Sequence, residues 1–148
     1  MGIYYDIPVE SDSFLMYLDF PLMSTAYIWE FPFENNLNTG IYYEKNLFDT
    51  KKAKSIIREY IQKRYSYSPE NIKGFPIPYY FAGAEFGNIF LAGDAAGLCF
   101  RDNGEGISTA LISGAEIGRK ILDENYSMPE LNKICRLKKR REIMYLID

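Results

Sequence analysis

The first half of the chain contains short runs of apolar and aromatic residues, separated by polar residues that favour turns. The runs at 13–20, 25–31 and 37–43 are rich in aromatic and β-branched residues, which favours strands over helices. The polar connector at 34–36 suits a tight turn, so the second and third runs are predicted to pair as an antiparallel hairpin. The pattern therefore predicts a small antiparallel sheet with one aromatic face.

From Asp49 to about Tyr65 the apolar residues recur at spacings of three and four, with charged residues between them. This pattern predicts an amphipathic helix, with Asp49 or Thr50 as the capping residue. The prolines and the glycine of 69–78 are expected to prevent regular structure in that segment. The short apolar run at 88–91 then predicts a buried strand.

The last third of the chain is predicted to form two helices. The first spans 107–122 and has one stripe of apolar and small residues, which permits close packing against a sheet or a ligand. This stripe comprises Ile107, Ala110, Leu111, Gly114, Ile117, Gly118 and Ile121. Pro129 suits the first turn of a final helix, from about 129 to 146. Its predicted inward-facing residues are Leu131, Ile134, Leu137 and Ile143.

Composition and charge narrow the classes of function. With 148 residues, 47% of them hydrophobic, the chain is long enough to bury a sizeable core. A net charge of -3 gives no general electrostatic reason to bind nucleic acid or an anionic membrane. The basic residues at 136–141 are interpreted as a solvated helix face rather than as a membrane or partner site. The chain has no histidine, which removes the commonest metal ligand, and no metal site is predicted.

The two cysteines, Cys99 and Cys135, lie far apart in the sequence, and no disulfide is expected between them. The chain has no signal-peptide pattern and no apolar run of roughly 18 or more residues. These features predict a reduced, cytoplasmic protein.

Residues 87–106 combine an apolar run, a Gly-Asp turn, small residues and a helix start flanked by glycines. A carboxylate on a tight turn can accept hydrogen bonds from sugar-like hydroxyls, and small neighbours let a ligand approach the backbone. A helix amino terminus offers free N–H groups and a partial positive charge to an anionic group. Each element taken singly is equally explained as an ordinary turn or helix start.

In this order and spacing, the elements resemble the second FAD-binding motif of the class that includes p-hydroxybenzoate hydroxylase and the geranylgeranyl reductases. The resemblance implies that FAD is the cofactor and that Asp94 contacts the flavin ribitol. Gly93 and Ala95 would shape the turn. The pyrimidine edge of the flavin would face backbone N–H groups of the helix start, those of Gly104, Glu105 and Gly106. Arg101 would stabilise an anionic reduced flavin, or it is a solvated loop residue.

A second segment, Y-x-W-x-F-P, consists of Tyr27, Trp29, Phe31 and Pro32. Alternation along a strand sends the first three to one face, where their rings form an apolar wall. Spacing alone favours a core-facing aromatic stripe. Geranylgeranyl reductases carry a similar segment that lines their lipid pocket, and this resemblance implies that the four residues bind an isoprenoid chain.

The resemblance covers roughly residues 13 to 145 and implies an α+β fold that is a fragment of an α/β FAD-binding fold. A substrate-side sheet with one helix is expected at 1–82, the flavin motif at 83–126 and a terminal helix at 127–148. The implied activity is that of an oxidoreductase that reduces isoprenoid carbon-carbon double bonds with reduced FAD as hydride donor. The substrate would lie between the aromatic wall and the flavin, and no catalytic residue is assigned.

The sequence departs from the family at Ser24, where many members have proline, and in residues 1–40, where nothing resembles G-x-G-x-x-G. We therefore expect a carboxy-terminal fragment that binds FAD weakly or not at all by itself, with a separate chain supplying the ADP-binding half. An apolar substrate implies at most peripheral membrane contact. Two alternatives stay open: a fragment of a flavin-dependent aromatic hydroxylase or halogenase, and an inactive remnant or interaction module without FAD.

Overall fold

The structure, a computed structural model, describes residues 1–18 and 26–144, apart from the Met144 side chain. The chain divides into two compact units, Met1–Pro76 and Ile77–Asp148. The predicted α+β class is confirmed, because the helices accompany a small antiparallel sheet. The predicted three-part division at 82 and 126 stays a prediction.

The first unit contains a five-stranded antiparallel sheet in the order β2-β3-β4-β1-β5. Its strands are β1 (Gly2–Ile7), β2 (Leu15–Tyr17), β3 (Tyr27–Phe33), β4 (Asn36–Tyr42) and β5 (Lys73–Phe75). The predicted hairpin is confirmed as β3 and β4, with Phe33 paired to Asn36 and Glu34 in the turn at a φ of 51°.

Two strands of this sheet were not predicted from the sequence. β1 lies between β4 and β5, so the first residues of the chain pair with strands that follow much later. β5 lies within 69–78, and the expectation that this segment has no regular structure was wrong. Its three residues pair with β1 because the prolines of the segment all lie outside 73–75, where they remove no ladder hydrogen bond.

Helix α1 (Thr50–Tyr65) confirms the predicted amphipathic helix. Asp49 is its capping residue, since its Oδ1 accepts a hydrogen bond from the Lys52 N–H at 2.9 Å. The core of the first unit joins apolar residues of this helix to inward-facing residues of the sheet. The fully buried helix residues are Ala53, Ile57 and Ile61. Full burial of each isoleucine contributes about 1.5–3 kcal/mol to folding.

The second unit begins with a hairpin of β6 (Glu85–Phe86) and β7 (Ile89–Phe90), followed by a short 3-10 turn at Gly93–Ala96. Helices α2 (Ile107–Leu122) and α3 (Pro129–Met144) complete it. The short strand predicted at 88–91 is present as the two residues of β7, but the expectation that it is buried was wrong, because Ile89 is 59% exposed. Its core comprises Ala84, Ala96, Leu98, Ile117, Leu131 and Ile134.

Helix α2 turns a different face inward from the one its apolar pattern predicts. Much of the predicted stripe is exposed, including Ile107, Leu111 and Ile121, and a Cβ added at Gly114 or Gly118 would meet nothing within 4 Å. The buried residues of α2 are Thr109, Ser113, Glu116 and Ile117. Most of these are polar, and their burial is tolerated because their side chains are hydrogen-bonded.

Helix α3 buries Leu131 and Ile134 as predicted, but Leu137 and Ile143 are 43% and 48% exposed, so their predicted inward orientation was wrong. The third inward position is taken by Lys138, which is 4% exposed. Residues 131, 134 and 138 share one face of a 3.6-residue helix. The interpretation of the basic cluster as a solvated face was therefore wrong for Lys138. Among the described helices, none is both long and apolar enough to span a membrane.

Candidate functional site

The Gly-Asp turn is packed directly on helix α2. Gly93 has a φ of 52°, and a Cβ at this position would lie 2.8 Å from the Cβ of Ala110. Its N–H donates to the buried Ser113 Oγ at 2.9 Å. The turn closes with a hydrogen bond of 2.9 Å from the Gly97 N–H to the Asp94 carbonyl. Both the positive φ and the close approach require glycine at position 93.

The Asp94 carboxylate lies beside the amino terminus of α2. A Cβ added at Gly106, the N-cap residue, would be 2.9 Å from Asp94 Oδ1. The absence of a side chain at Gly106 is therefore what lets the carboxylate occupy this place. An acidic group next to the positive end of a helix is stabilised by the helix dipole.

These two segments line one open groove of about 530 Å³. Its lining residues are Ile77, Ala92, Gly93, Asp94, Ala95, Gly104, Gly106, Ile107 and Ala110. The structure thus brings together five of the seven residues for which a cofactor role was predicted. Of the other lining residues, Ile107 and Ala110 belong to the helix stripe for which packing against a sheet or a ligand was expected, whereas Ile77 and Ala92 were not predicted. Ala110 was recognisable as the position one helical turn after Gly106.

Two of the three backbone N–H groups implied by the family resemblance are used within the loop. The Gly104 N–H donates to the Phe100 carbonyl at 2.9 Å, and the Glu105 N–H donates to Asn103 Oδ1 at 2.9 Å. The Glu105 side chain turns back on the helix, where its Oε1 accepts from the Ser108 N–H at 2.9 Å. Gly104 and Glu105 therefore shape the start of the helix, and their N–H groups are already donated to acceptors within the loop.

The N–H groups of Gly106 and Ile107 differ from these. Within the part of the chain that the structure describes, neither donates a hydrogen bond. Both residues line the groove, next to Asp94. The arrangement can therefore donate hydrogen bonds to a ligand from α2 and accept them at the Asp94 carboxylate.

Arg101 lies outside the set of residues that lines the groove. Its guanidinium carbon lies 5.3 Å from the ring centroid of Tyr79, and the residue is half-buried. A cation over a ring face is a stabilising contact. Both roles considered for Arg101 from the sequence stay open.

The aromatic wall consists of Tyr27, Trp29 and Phe31 on one face of β3. The ring centroids of Tyr27 and Trp29 are 6.3 Å apart, and those of Trp29 and Phe31 are 6.2 Å apart. The alternate residues of β3, including the buried Ile28, face α1 and the core. The wall is therefore on the opposite face of the sheet from that core. Pro32 alternates to the α1 side and does not join the three rings, whereas Ser24 lies outside the described residues.

Trp29 is held in place by a close contact and a hydrogen bond. A Cβ at Gly40 would be 2.2 Å from an indole carbon, so the ring lies directly over this glycine. The indole N–H donates to Asn38 Oδ1 at 2.8 Å, and Asn38 donates to Asp6 Oδ1 at 2.8 Å. Asp6 also pairs with Lys73 at 2.7 Å, which lowers the pKa of its carboxyl.

Glu30 supports the wall strand from the other face of the sheet. It is 2% exposed and accepts hydrogen bonds from the Tyr60 and Tyr65 hydroxyls, at 2.9 and 2.7 Å. The Arg64 Nε lies 3.1 Å from the same oxygen. Burial, followed by the hydrogen bond to Glu30, raises the pKa of Tyr60 above its usual range. These contacts tie β3 to α1 beneath the rings.

Within residues 1–18 and 26–144, no group of three or more Cys, Asp or Glu side chains is placed to hold a metal ion. The groove fits part of a flavin on the chemistry of its donors and acceptor. Gly93 and Gly106 let the turn, the Asp94 carboxylate and α2 pack closely together, so that two amide groups can donate and one carboxylate can accept at the same groove. No dinucleotide-binding glycine motif accompanies them.

No protein-family model matches the sequence, and no match is found among curated proteins. The fold is similar to that of a solved structure, a geranylgeranyl bacteriochlorophyll reductase-like protein from Thermoplasma acidophilum. The TM-score is 0.65 and the sequence identity is 24%, over 95% of this chain and 38% of that one. The chain therefore shares its fold with part of that reductase-like protein and spans 38% of its length.

Proposed function

We propose that this chain forms the flavin-facing part of an FAD-dependent oxidoreductase of the geranylgeranyl reductase family. The observation that carries the proposal is the groove, where the Gly-Asp turn and the start of α2 meet. The motif that resembles the family's second FAD-binding segment is folded so that most of its predicted residues line one surface. The fold shared with a reductase-like protein supports the same assignment.

In this proposal the Asp94 carboxylate accepts hydrogen bonds from the ribitol hydroxyls. The N–H groups of Gly106 and Ile107 donate to the pyrimidine edge, where the partial positive charge of α2 favours the anion of the reduced state. When bound, FAD in its reduced form would supply a hydride to one carbon of an alkene and become oxidised, while a proton would reach the other carbon. The residues of this chain bind and orient the cofactor, and none of them is assigned to proton transfer.

The substrate proposed for this reductase is an isoprenoid chain that contacts the aromatic wall. An aromatic surface on the side of the sheet away from the core is suited to an apolar ligand, and Phe31 is 43% exposed. The row of three rings provides contact along an extended chain. Pro32 is left out of this surface, because it lies on the other face of β3.

A separate chain is proposed to supply the ADP-binding half of the FAD site, and the exposed apolar face of α2 supports this proposal. Ile107, Leu111 and Ile121 are 79%, 71% and 60% exposed, and they lie along one side of the helix with Gly114 and Gly118. Solvent-exposed apolar helix faces of this kind are typical of surfaces that another protein covers. Ile107 belongs both to this face and to the groove.

FMN carries the isoalloxazine and ribitol without the adenosine half, so it tests the groove by itself. We expect millimolar FMN to shift the amide resonances of Gly93, Gly106 and Ile107 in an NMR titration. Gly106→Ala places a methyl group 2.9 Å from Asp94 Oδ1 and should weaken FMN binding by about tenfold, equivalent to 1.4 kcal/mol. Gly118→Ala is the matched control on the same helix, where an added Cβ meets nothing within 4 Å.

Equal weakening by both substitutions, or no shift near the turn at saturating FMN, would refute the flavin site. A comparison with FAD tests the missing half. The chain alone should bind FAD no more tightly than FMN, because the adenosine moiety has no site on it. Much tighter binding of FAD by the chain alone would contradict the proposed need for a separate chain.

A further inference from the structure

None of the described residues of helix α3 lines the groove, yet this helix holds the loop that shapes the groove. The loop spans residues 98–105 and leads from the Gly-Asp turn to α2. It closes on itself through two hydrogen bonds, from the Phe100 N–H to the Glu105 carbonyl at 2.8 Å and from the Gly104 N–H to the Phe100 carbonyl at 2.9 Å. The position of Phe100 therefore determines where Gly104 and Glu105 lie.

Lys138 holds the loop at the residue before Phe100. Its Nζ donates a hydrogen bond to the Cys99 carbonyl, and the same amine lies 5.6 Å from the centroid of the Phe100 ring. Lys138 is 4% exposed, and burying its amine would cost free energy if the amine had no hydrogen-bond acceptor. The Cys99 carbonyl provides that acceptor. The Cys99 Sγ would be 3.7 Å from a Cβ at Gly106. Lys138 thus fixes a residue that packs against the N-cap of α2.

Arg141 holds the same loop one helical turn later. Its guanidinium carbon lies 4.3 Å from the centroid of the Phe100 ring, and its Nη1 lies 3.0 Å from Asp102 Oδ2. The residue makes both a cation–π contact and an ion pair with the loop. Phe100 is 7% exposed beneath these two basic residues. Lys138 and Arg141 of α3 therefore both contact the same part of the loop, residues 99–102.

We propose that Lys138 and Arg141 are positioning residues for the flavin: they hold loop 98–105 so that the N–H groups of Gly106 and Ile107 face the groove. This inference rests on the proposed flavin site. It gives a role at that site to two residues of α3 that do not themselves line the groove. The effect should be larger for reduced than for oxidised flavin, because the charge that these amides stabilise is present only in the reduced anion.

The test compares Lys138→Met, Arg141→Gln and Arg141→Lys with Lys139→Met as the control. Lys139 is an exposed neighbour on the same helix, so its substitution removes the same charge without releasing the loop. We expect faster hydrogen exchange of the Gly104 amide in the first two variants, while exchange in the buried part of α2 is unchanged. Arg141→Lys can still pair with Asp102 and should restore slow exchange.

The second readout is the reduction potential of FMN bound to each variant. The first two variants should weaken binding of reduced FMN about tenfold more than binding of oxidised FMN, which lowers the two-electron potential by about 30 mV. A merely structural role would weaken both forms equally and leave the potential unchanged. Should Lys138→Met not fold, Arg141→Gln by itself decides between these results.

The outcomes separate the two proposals. Wild-type protein that binds no FMN overturns the proposed function and, with it, this inference. Wild-type binding together with unchanged Gly104 exchange or an unchanged potential in Arg141→Gln overturns the inference alone. Effects of equal size in Lys139→Met would also overturn it, because they would assign the change to net charge rather than to the loop.

Discussion

Replacing Gly40 by alanine should displace Trp29 and disrupt the aromatic wall. The new Cβ would lie 2.2 Å from one indole carbon and 2.6 Å from two others. Carbon atoms in contact are normally about 3.5–4.0 Å apart, so the ring must move by more than about 1 Å. Gly40 lies in the middle of the sheet, paired with Tyr4 and with Trp29, so its backbone cannot move away freely.

The magnitude follows from the contacts that this movement breaks. Overpacking a core position costs about 1–3 kcal/mol, and loss of the hydrogen bond from the indole to Asn38 costs about 1 kcal/mol more. We therefore expect Gly40→Ala to lower the free energy of unfolding of the first unit by about 2–4 kcal/mol. The spacing of 6.2–6.3 Å between neighbouring ring centroids in the wall should also be lost.

The assay is direct because Trp29 is the one tryptophan of the chain. Its fluorescence should move to longer wavelength in the folded variant as the indole N–H exchanges Asn38 for water, and the urea midpoint should fall. Gly114→Ala is the control, since its Cβ meets nothing within 4 Å. Unchanged emission and an unchanged midpoint in Gly40→Ala would refute the close packing of Trp29 on this glycine.

Two further predictions concern buried titratable groups. Burial tends to raise the pKa of Glu116, but hydrogen bonds from Tyr126 and from the N–H groups that begin α3 lower it overall. The ionised Glu116 carboxylate therefore stabilises the folded state above pH 4.5, the usual pKa of the group, and this stabilisation is lost as the pH falls through the lowered pKa. Glu116→Gln should lower the free energy of unfolding by about 2–3 kcal/mol at neutral pH. It should also weaken the fall in stability at acid pH when the free energy of unfolding is measured against pH, whereas an unchanged fall would contradict this role of Glu116. Burial, and then the charge of Asp94, raise the pKa of the Cys99 thiol to about 11, so alkylation near neutral pH should modify the half-exposed Cys135 first. Equal rates by mass spectrometry would contradict the burial of Cys99.

Local sequence was sufficient where an element depends on its own residues. The capped helix at 50–65 follows from apolar spacing and from Asp49, and the β3–β4 hairpin follows from two aromatic runs around a polar turn. The Gly-Asp turn and the glycines at the start of α2 were likewise visible, because their conformations require small residues. The same local features carried the family resemblance.

The sequence was insufficient where distant segments meet. The apolar stripe of α2 predicts an amphipathic helix, but spacing does not tell which face the rest of the unit covers. Its polar face is buried because Ser113 reaches the Gly93 N–H and Glu116 reaches the start of α3. Polar residues at helical spacing opposite the apolar stripe were the one signal for this, and their partners lie elsewhere in the chain.

The sequence by itself therefore determined the three helices, the β3–β4 hairpin and the Gly-Asp turn, and it supplied the residues that are proposed to hold a flavin. The tertiary structure decided that Trp29 lies on Gly40, that Asp94 lies against Gly106 and that Lys138 is buried on the Cys99 carbonyl. The residues joined by each of these contacts are not separated by a helix or strand repeat, so the pattern of the sequence does not reveal that they meet. Their geometry exists only once the elements have packed, since neither partner has a local preference for the other.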